Sequence, residues 1–216
     1  MSQLLPGELD GPLDALILGI GNVLWADEGF GVRCAEAFAA EWQTPPGVMV
    51  MDGGSQGLYL LPYVQAARRL IVFDAIDYGL EPGTLKRVED DQVPRFMGAK
   101  KMSLHQTGFQ EVIAAAALTD QLPKNMLLIG VQPEELEDYG GSLRPVVKAR
   151  IAQSVALAVE QLRAWGIAIE RRQGPAATRS GESRILDIDN YEAGRPSAEL
   201  ACRFGDARVL DLHGQT

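Results

Sequence analysis

Two carboxylates and one imidazole stand in short polar stretches that follow apolar runs of this chain. Glu28 lies in GIGNVLWADEGFG, Asp74 in FDAID and His105 in SLHQTG. Carboxylate oxygen and imidazole nitrogen both suit nickel or zinc, and three protein ligands leave positions open for water or a substrate group. A metal held in this way would polarise a carbonyl group and lower the pKa of water. The three residues are therefore candidate metal ligands and candidate catalytic groups.

Each of these residues alone has a simpler interpretation. Asp27 and Glu28 open a predicted helix, where carboxylates more often match the helix dipole than bind a metal. A histidine that precedes a helix is more often a surface residue. His105 carries more weight because the chain has two histidines and the other, His213, lies near its end.

GIGNVL also resembles the start of a dinucleotide-binding fingerprint, with Asp52 where a ribose-binding acid would stand. The third glycine of that fingerprint is missing, since Leu24 takes its place. Asp27 and Glu28 would put negative charge at the helix terminus that should receive a pyrophosphate. We therefore set aside the interpretation as a nucleotide-binding enzyme.

Short apolar runs alternate with amphipathic runs, which is typical of an α/β sandwich with a largely parallel sheet. Because the carboxyl ends of parallel strands share one edge of a sheet, Glu28, Asp74 and His105 are expected to converge there. Strands are predicted at 16–21, 48–52, 69–76 and 126–131, with an edge strand at 83–88. Helices are predicted at 30–42, 58–67, 106–118 and 143–165.

The chain divides by composition into three parts. Residues 1–14 are predicted to be an N-terminal extension and 15–166 the α/β domain. Residues 167–216 are predicted to form an extended C-terminal tail, flexible or partner-binding, because 171–184 are polar and contain Gly, Pro and Ser.

Charge and cysteine content restrict the functional classes. With Asp+Glu 29 against Lys+Arg 20, the net charge is −9, which argues against nucleic acid and anionic membranes and suits a basic partner. Cys34 and Cys202 form no CxxC pair, so neither a disulfide framework nor a structural zinc site is expected. Cys34 is predicted to be a small buried residue rather than a nucleophile. No apolar run approaches the ~18 residues of a membrane helix, so we predict no membrane insertion and a cytoplasmic location.

Five motifs carry a family resemblance, and they cover the chain from about Ala15 to Trp165. They are GIGNVLWADEGFGVR, MDGGSQG, LIVFDAIDYG, KKMSLHQTGF and LLIGVQPEELE. In this order and spacing they resemble the hydrogenase maturation endopeptidases, which process the large subunits of NiFe hydrogenases. The resemblance implies a three-layer sandwich, with a twisted, mostly parallel sheet and helices on both faces.

The resemblance also implies a substrate and a set of site residues. Family members remove a short C-terminal peptide from the large-subunit precursor once nickel is present. Glu28, Asp74 and His105 match the family's proposed nickel contacts, and the nickel arrives with the substrate, so no permanent cofactor is expected. Asp52, with Gly53 and Gly54, matches a position associated with substrate recognition.

Two questions stay open at this level. The sequence shows no Ser/His/Asp or Cys/His arrangement, so attack by metal-polarised water with a carboxylate as base is our preferred mechanism. The alternative is a non-catalytic chaperone that binds the nickel-loaded precursor. The segment YEAGRPSAELACRFGDARVLDL is similar to C-terminal extensions in the subgroup that serves membrane-bound uptake hydrogenases.

Overall fold

The computed structural model describes residues 11–97, 104–173 and 188–194. Its centre is a five-stranded sheet with the order β3-β1-β4-β6-β5. Strands β1, β3, β4 and β6 are parallel, and β5 pairs antiparallel with β6 at one edge. The strands are β1 Ala15–Ile20, β3 Val48–Gly54, β4 Arg69–Ala75, β5 Leu85–Glu89 and β6 Asn125–Val131.

Helices cover both faces of this sheet, and a second, two-stranded sheet joins β2 to β7. The helices are α1 Phe30–Glu41, α2 Leu61–Ala66, α3 Gln92–Met97, α4 Leu104–Leu118, α5 Pro145–Lys148, α6 Ile151–Ala164 and α7 Ile188–Gly194. The short strands are β2 Trp42–Gln43 and β7 Glu170–Arg171. In the described ranges, no helix is long and apolar enough to cross a membrane.

The central strands β1, β4 and β6 are buried on both faces, which is why their sequences are apolar runs without alternation. One face, here called the α4 face, packs Leu18, Val72 and Leu128 against residues of α2, α3 and α4. The opposite face, the α1 face, packs Ile17 and Phe73 against α1, α5 and α6. The predicted three-layer α/β sandwich is confirmed.

Glycine lets α1 approach the sheet more closely than other residues would allow. A Cβ atom at Gly31 would overlap the carbonyl oxygens of Ile20 and Phe73, which are backbone atoms that cannot move aside. The first turn of α1 therefore rests directly on the ends of β1 and β4. This contact fixes the position of the loop that carries Glu28.

Two predicted elements differ from the structure. The helix predicted at 143–165 is divided, because α5 ends at Lys148 and α6 begins at Ile151. Arg150 donates its backbone N–H to Val147 three residues back, so the chain tightens into a turn there. The edge strand predicted at 83–88 is confirmed as β5, which begins two residues later and ends one residue later, at Leu85–Glu89.

The described core continues past Gly166. Ile167 and Ile169 are buried against the α1 face, and β7 pairs with β2. Two of the predicted parts lie mostly outside the described residues. They are the N-terminal extension, 1–14, and the tail, 167–216. The three-part division of the chain stays a prediction.

Helix α7 belongs to that predicted tail and lies against the α/β domain. Glu192 accepts hydrogen bonds from Lys148 Nζ at 2.9 Å and from Ser142 Oγ at 2.7 Å. These two bonds, that of Lys148 first, lower the pKa of Glu192. The guanidinium of Arg33 lies 6.0 Å from the centre of the Tyr191 ring. Helix α7 therefore contacts both α1 and the segment around α5.

Candidate functional site

The loops that follow β1, β3, β4 and β6 meet at the carboxyl edge of the sheet, and they contain the predicted site. Glu28 lies in the 3-10 turn Ala26–Gly29 between β1 and α1, and it is half-buried. Asp74 lies near the end of β4, and Asp52 near the end of β3. In the register of the sheet, Gly19 is opposite both Asp52 and Phe73, so both acids flank the end of β1.

His105 lies in the first turn of α4. Because α4 precedes the parallel strand β6, its first turn is at the carboxyl edge, where Gly108 approaches Gly57. The side chain of His105 lies outside the described residues. Among the side chains that the structure does describe, no group of three His, Cys, Asp or Glu residues is arranged to hold a metal. The ligand set Glu28, Asp74 and His105 thus stays a prediction, with all three residues on elements that end at one edge.

Asp74 is fully buried and lies beside a tyrosine that sequence reasoning missed. The Tyr78 hydroxyl lies over Gly130, where any Cβ atom would displace it, and Gly130 is the residue opposite Asp74 in β6. Burial, and then the charge of Asp74, raise the pKa of Tyr78. The Tyr78 hydroxyl therefore keeps its proton at neutral pH. The signal in the sequence was Gly130 itself, a glycine within an otherwise apolar strand.

Asp52 shapes the turn that ends β3. Its Oδ1 accepts a hydrogen bond from the N–H of Gly54 at 2.9 Å, and Gly54 has a positive φ of 47°. The carbonyl of Gly54 accepts a hydrogen bond from the N–H of Gly21 at 3.0 Å, which ties the end of β3 to the end of β1. A Cβ atom at Gly53 would press on the side chains of Leu18 and Ile20. A structural role is therefore clear for the DGG segment, and its part in substrate binding stays a prediction.

Asp27 binds a distant loop rather than the end of a helix. Its Oδ2 accepts hydrogen bonds from the backbone N–H groups of Glu134 and Glu135 at 2.8 and 2.9 Å. Its Oδ1 accepts one from the backbone N–H of Arg144 at 2.7 Å. The Asp27 N–H in turn donates to the Glu135 carbonyl at 3.0 Å. No side-chain cap bond forms at the start of this turn or of α1. Asp27 thus makes no side-chain cap to its own turn or to α1, and it holds the segment after β6 against the residue next to Glu28.

Gln132 fixes a second loop at this edge, and sequence reasoning also missed it. Its buried side chain accepts hydrogen bonds from the N–H groups of Tyr78 and Leu80 at 2.7 and 3.1 Å. Its amide nitrogen donates to Asp77 Oδ1 at 3.0 Å. Gln132 thus orders the loop that follows β4, and its amide nitrogen also donates to the carbonyl of Pro133 at 3.2 Å.

Cys34 lies on the buried side of α1, as predicted. Burial raises its thiol pKa well above the ordinary value, and the nearby Ser154 side chain opposes this only in part. Since the thiolate is the nucleophilic form of cysteine, Cys34 is a packing residue and not a nucleophile.

We expect Cys34 in the folded protein to react with iodoacetamide roughly 100-fold more slowly than in the unfolded chain, because reaction requires local opening. Mass spectrometry of the digested protein would separate Cys34 from Cys202, which lies outside the described residues. Equal labelling rates of Cys34 with and without denaturant would contradict its assignment as a packing residue.

Comparison with known proteins decides the family. A profile described as hydrogenase maturation protease matches residues 32–161. The chain belongs to this family. It is 57% identical to the hydrogenase expression/formation protein HupD of Thiocapsa roseopersicina over 198 residues. The aligned region covers 91% of this chain and 90% of that protein. It is 58% identical over 195 residues to the hydrogenase expression/formation protein HoxM of Azotobacter vinelandii, covering 90% and 93%.

The solved structures agree with this assignment. The fold matches the hydrogenase maturating endopeptidase HybD from E. coli with a TM-score of 0.70 and 36% identity, covering 74% of this chain and 98% of that one. The predicted family and its enzyme class are confirmed: this hydrogenase maturation protease is an endopeptidase. The profile match includes Asp52, Asp74 and His105, and Glu28 lies four residues before it.

Proposed function

We propose that this endopeptidase removes a C-terminal peptide from the large-subunit precursor of a NiFe hydrogenase after nickel has been inserted. The observation that carries the proposal is the meeting of Glu28, Asp74 and the first turn of α4 at one edge of the sheet, in a chain of this family. The substrate hydrogenase is of the membrane-bound uptake type, and the reaction takes place in the cytoplasm.

Nickel enters this proposal as part of the substrate. The carboxylates of Glu28 and Asp74, with the imidazole of His105, are of the donor types that suit nickel. Three protein ligands leave coordination positions for groups that the precursor supplies, so the shell is complete only in the complex. The protease therefore needs no metal of its own, and it distinguishes loaded from empty precursor by the added contact.

Water is the proposed nucleophile, because Cys34 is excluded and a carboxylate at this edge offers a general base. The nickel of the substrate polarises the attacking water or the carbonyl group of the peptide bond that is cleaved. Chelation of nickel from a preformed complex should then stop peptide release. Normal cleavage after complete removal of the metal would refute this mechanism.

The proposed function is tested with the purified precursor, with and without nickel, in a reaction whose products are identified by mass spectrometry. We expect one defined C-terminal peptide from the nickel-loaded precursor and none from the empty one. Release of the same peptide from both forms would refute nickel-dependent recognition. Tight binding without any released peptide would instead support the non-catalytic chaperone.

A further inference from the structure

Large apolar side chains are exposed at few described positions, and most of these lie around the site. Four of them follow strands of the sheet at its carboxyl edge, whereas Leu118 lies at the end of α4, on the opposite edge. Exposed apolar groups that cluster in one region usually mark a binding surface. The four at the carboxyl edge, here called the edge rim, are Leu58, Tyr59, Leu80 and Tyr139.

The backbone beneath the edge rim is held firmly. Leu58 and Tyr59 lie in the 3-10 turn Gly57–Leu60, where Gly57 rests on Gly108 of α4. Leu80 donates its backbone N–H to buried Gln132 at 3.1 Å. Side chains exposed on a fixed backbone can bind a partner with little loss of conformational entropy.

Tyr139 is supported from the other side of the site. Its ring meets that of Trp25 edge-on, with 5.2 Å between the centroids, and the two residues form a β-bridge. Gly140 donates its N–H to the carbonyl of Leu24 at 2.7 Å. With 68% of Tyr139 exposed, its ring is free to contact a partner while its backbone stays in place.

The edge rim extends across the sheet. Its residues follow β3, β4 and β6, and the sheet order places β1 with Glu28 between them. Neighbouring strands are about 4.8 Å apart, so the rim spans roughly 15 Å, the length of four or five extended residues. A polypeptide segment lying across it would pass over the ends of β1 and β4, where Glu28 and Asp74 lie.

The loops at this edge are acidic. The loops 21–29, 52–57, 76–84 and 132–144 contain nine acids and one basic residue, Arg144, which pairs with Asp138 at 2.9 Å. The sequence just before α4 adds Lys100 and Lys101, so acids outnumber bases by nine to three. This charge favours a partner that carries basic groups. A second copy of the chain would bring two acidic edges together, and an anionic membrane would be repelled. The acids are Asp27, Glu28, Asp52, Asp77, Glu81, Glu134, Glu135, Glu137 and Asp138.

We propose that the edge rim binds an extended segment of the precursor next to the cleaved bond, in which apolar side chains alternate with basic ones. Apolar residues of that segment contact Tyr59, Leu80 and Tyr139, and its basic residues lie over the acidic loops. This inference rests on the proposed function, since it names the part of the protease that holds the same substrate.

The test compares two surface variants of the full chain. The double variant Tyr59→Ser with Leu80→Ser removes apolar area from the rim, and Leu118→Ser removes it at the opposite edge, where the side chain is 89% exposed. We expect the KM for nickel-loaded precursor to rise about tenfold or more in the rim variant, with little change in kcat, since exposed aromatic anchors dominate protein interfaces. The Leu118→Ser variant should match the wild type.

The outcomes separate the rim from the proposed function. If the wild type cleaves and the rim variant keeps its KM, the rim inference is wrong and the function stands. If the wild type binds the precursor without cleaving it, the function fails, and a weaker affinity of the rim variant still supports the rim. A wild type that neither cleaves nor binds the precursor overturns both. A dimer that the rim variant dissociates would show that a second copy covers this surface, and would also overturn the inference.

Discussion

Replacement of Asp27 by alanine is expected to lower the free energy of unfolding by roughly 3 kcal/mol, since the loss of a charged acceptor leaves several donors unsatisfied. The carboxylate is fully buried and accepts hydrogen bonds from the backbone N–H groups of Glu134, Glu135 and Arg144. Without it, the segment after β6 loses its attachment to the turn that carries Glu28. We therefore expect the rate of precursor cleavage to fall as well.

Urea denaturation monitored by circular dichroism would measure this loss. The free energy of unfolding of Asp27→Asn should lie between those of Asp27→Ala and the wild type. Asparagine keeps one acceptor oxygen but turns an amide donor toward backbone N–H groups. The control is Glu134→Gln, which removes an exposed carboxylate from the same segment and should change stability by less than about 0.5 kcal/mol. Equal stability of Asp27→Ala and the wild type would show that the three hydrogen bonds contribute nothing.

The sequence predicted the centre of the sheet well because β1, β4 and β6 are buried on both faces. Such strands are continuous apolar runs, as in LILGI and MLLIGV, and they can be recognised without knowledge of their neighbours. The position of the site followed from one topological rule, that parallel strands end at a common edge. Glu28, Asp74 and His105 were expected at that edge on this basis, and all three lie on elements that end there, while their role as one ligand set stays a prediction.

The individual roles of the acids could not be predicted in the same way. Asp27 and Glu28 are adjacent and carry the same charge, yet one is fully buried with a distant loop as its partner and the other is half-buried in the turn. Residues separated by more than 100 positions decide this difference, and no local pattern reports them. Gln132 and Tyr78 were missed for the same reason, because their partners lie on other strands.

Short elements were missed because they depend on tertiary contacts. The strands β2 and β7 have two residues each, and their pairing joins segments from opposite ends of the domain. Helix α7 carries few apolar residues and lies against the domain through Glu192, Tyr191 and Ile188, the last of which packs on the α1 face. The composition of this segment predicts a free tail, but Lys148 and Arg33 of the folded domain supply the contacts that hold the helix.

Glu28→Gln and Asp74→Asn are expected to reduce the release of the C-terminal peptide from nickel-loaded precursor by about 100-fold or more, the range for loss of an acid–base or charge-stabilising group. Both substitutions keep the size of the side chain and remove its charge, so the packing around β4 and the first turn of α1 should persist. Because Asp74 is fully buried, the melting temperature of Asp74→Asn should be measured as well, so that lost cleavage is not mistaken for unfolding. Peptide release would be followed by mass spectrometry.

The matched control is Glu160→Gln, an exposed acid on α6 that belongs neither to the predicted site nor to the acidic loops at the carboxyl edge. This control should cleave at the wild-type rate. Because each of the three variants removes one negative charge, a rate that falls only in Glu28→Gln and Asp74→Asn cannot result from net charge. His105→Ala belongs to the same series and should resemble Glu28→Gln if the three residues act as one ligand set. A measurement of precursor affinity then assigns the roles. A variant that binds the precursor but does not cleave it has lost a catalytic group. A variant that neither binds nor cleaves has lost recognition of the nickel. If Glu28→Gln and Asp74→Asn both cleave as fast as Glu160→Gln, the site lies elsewhere.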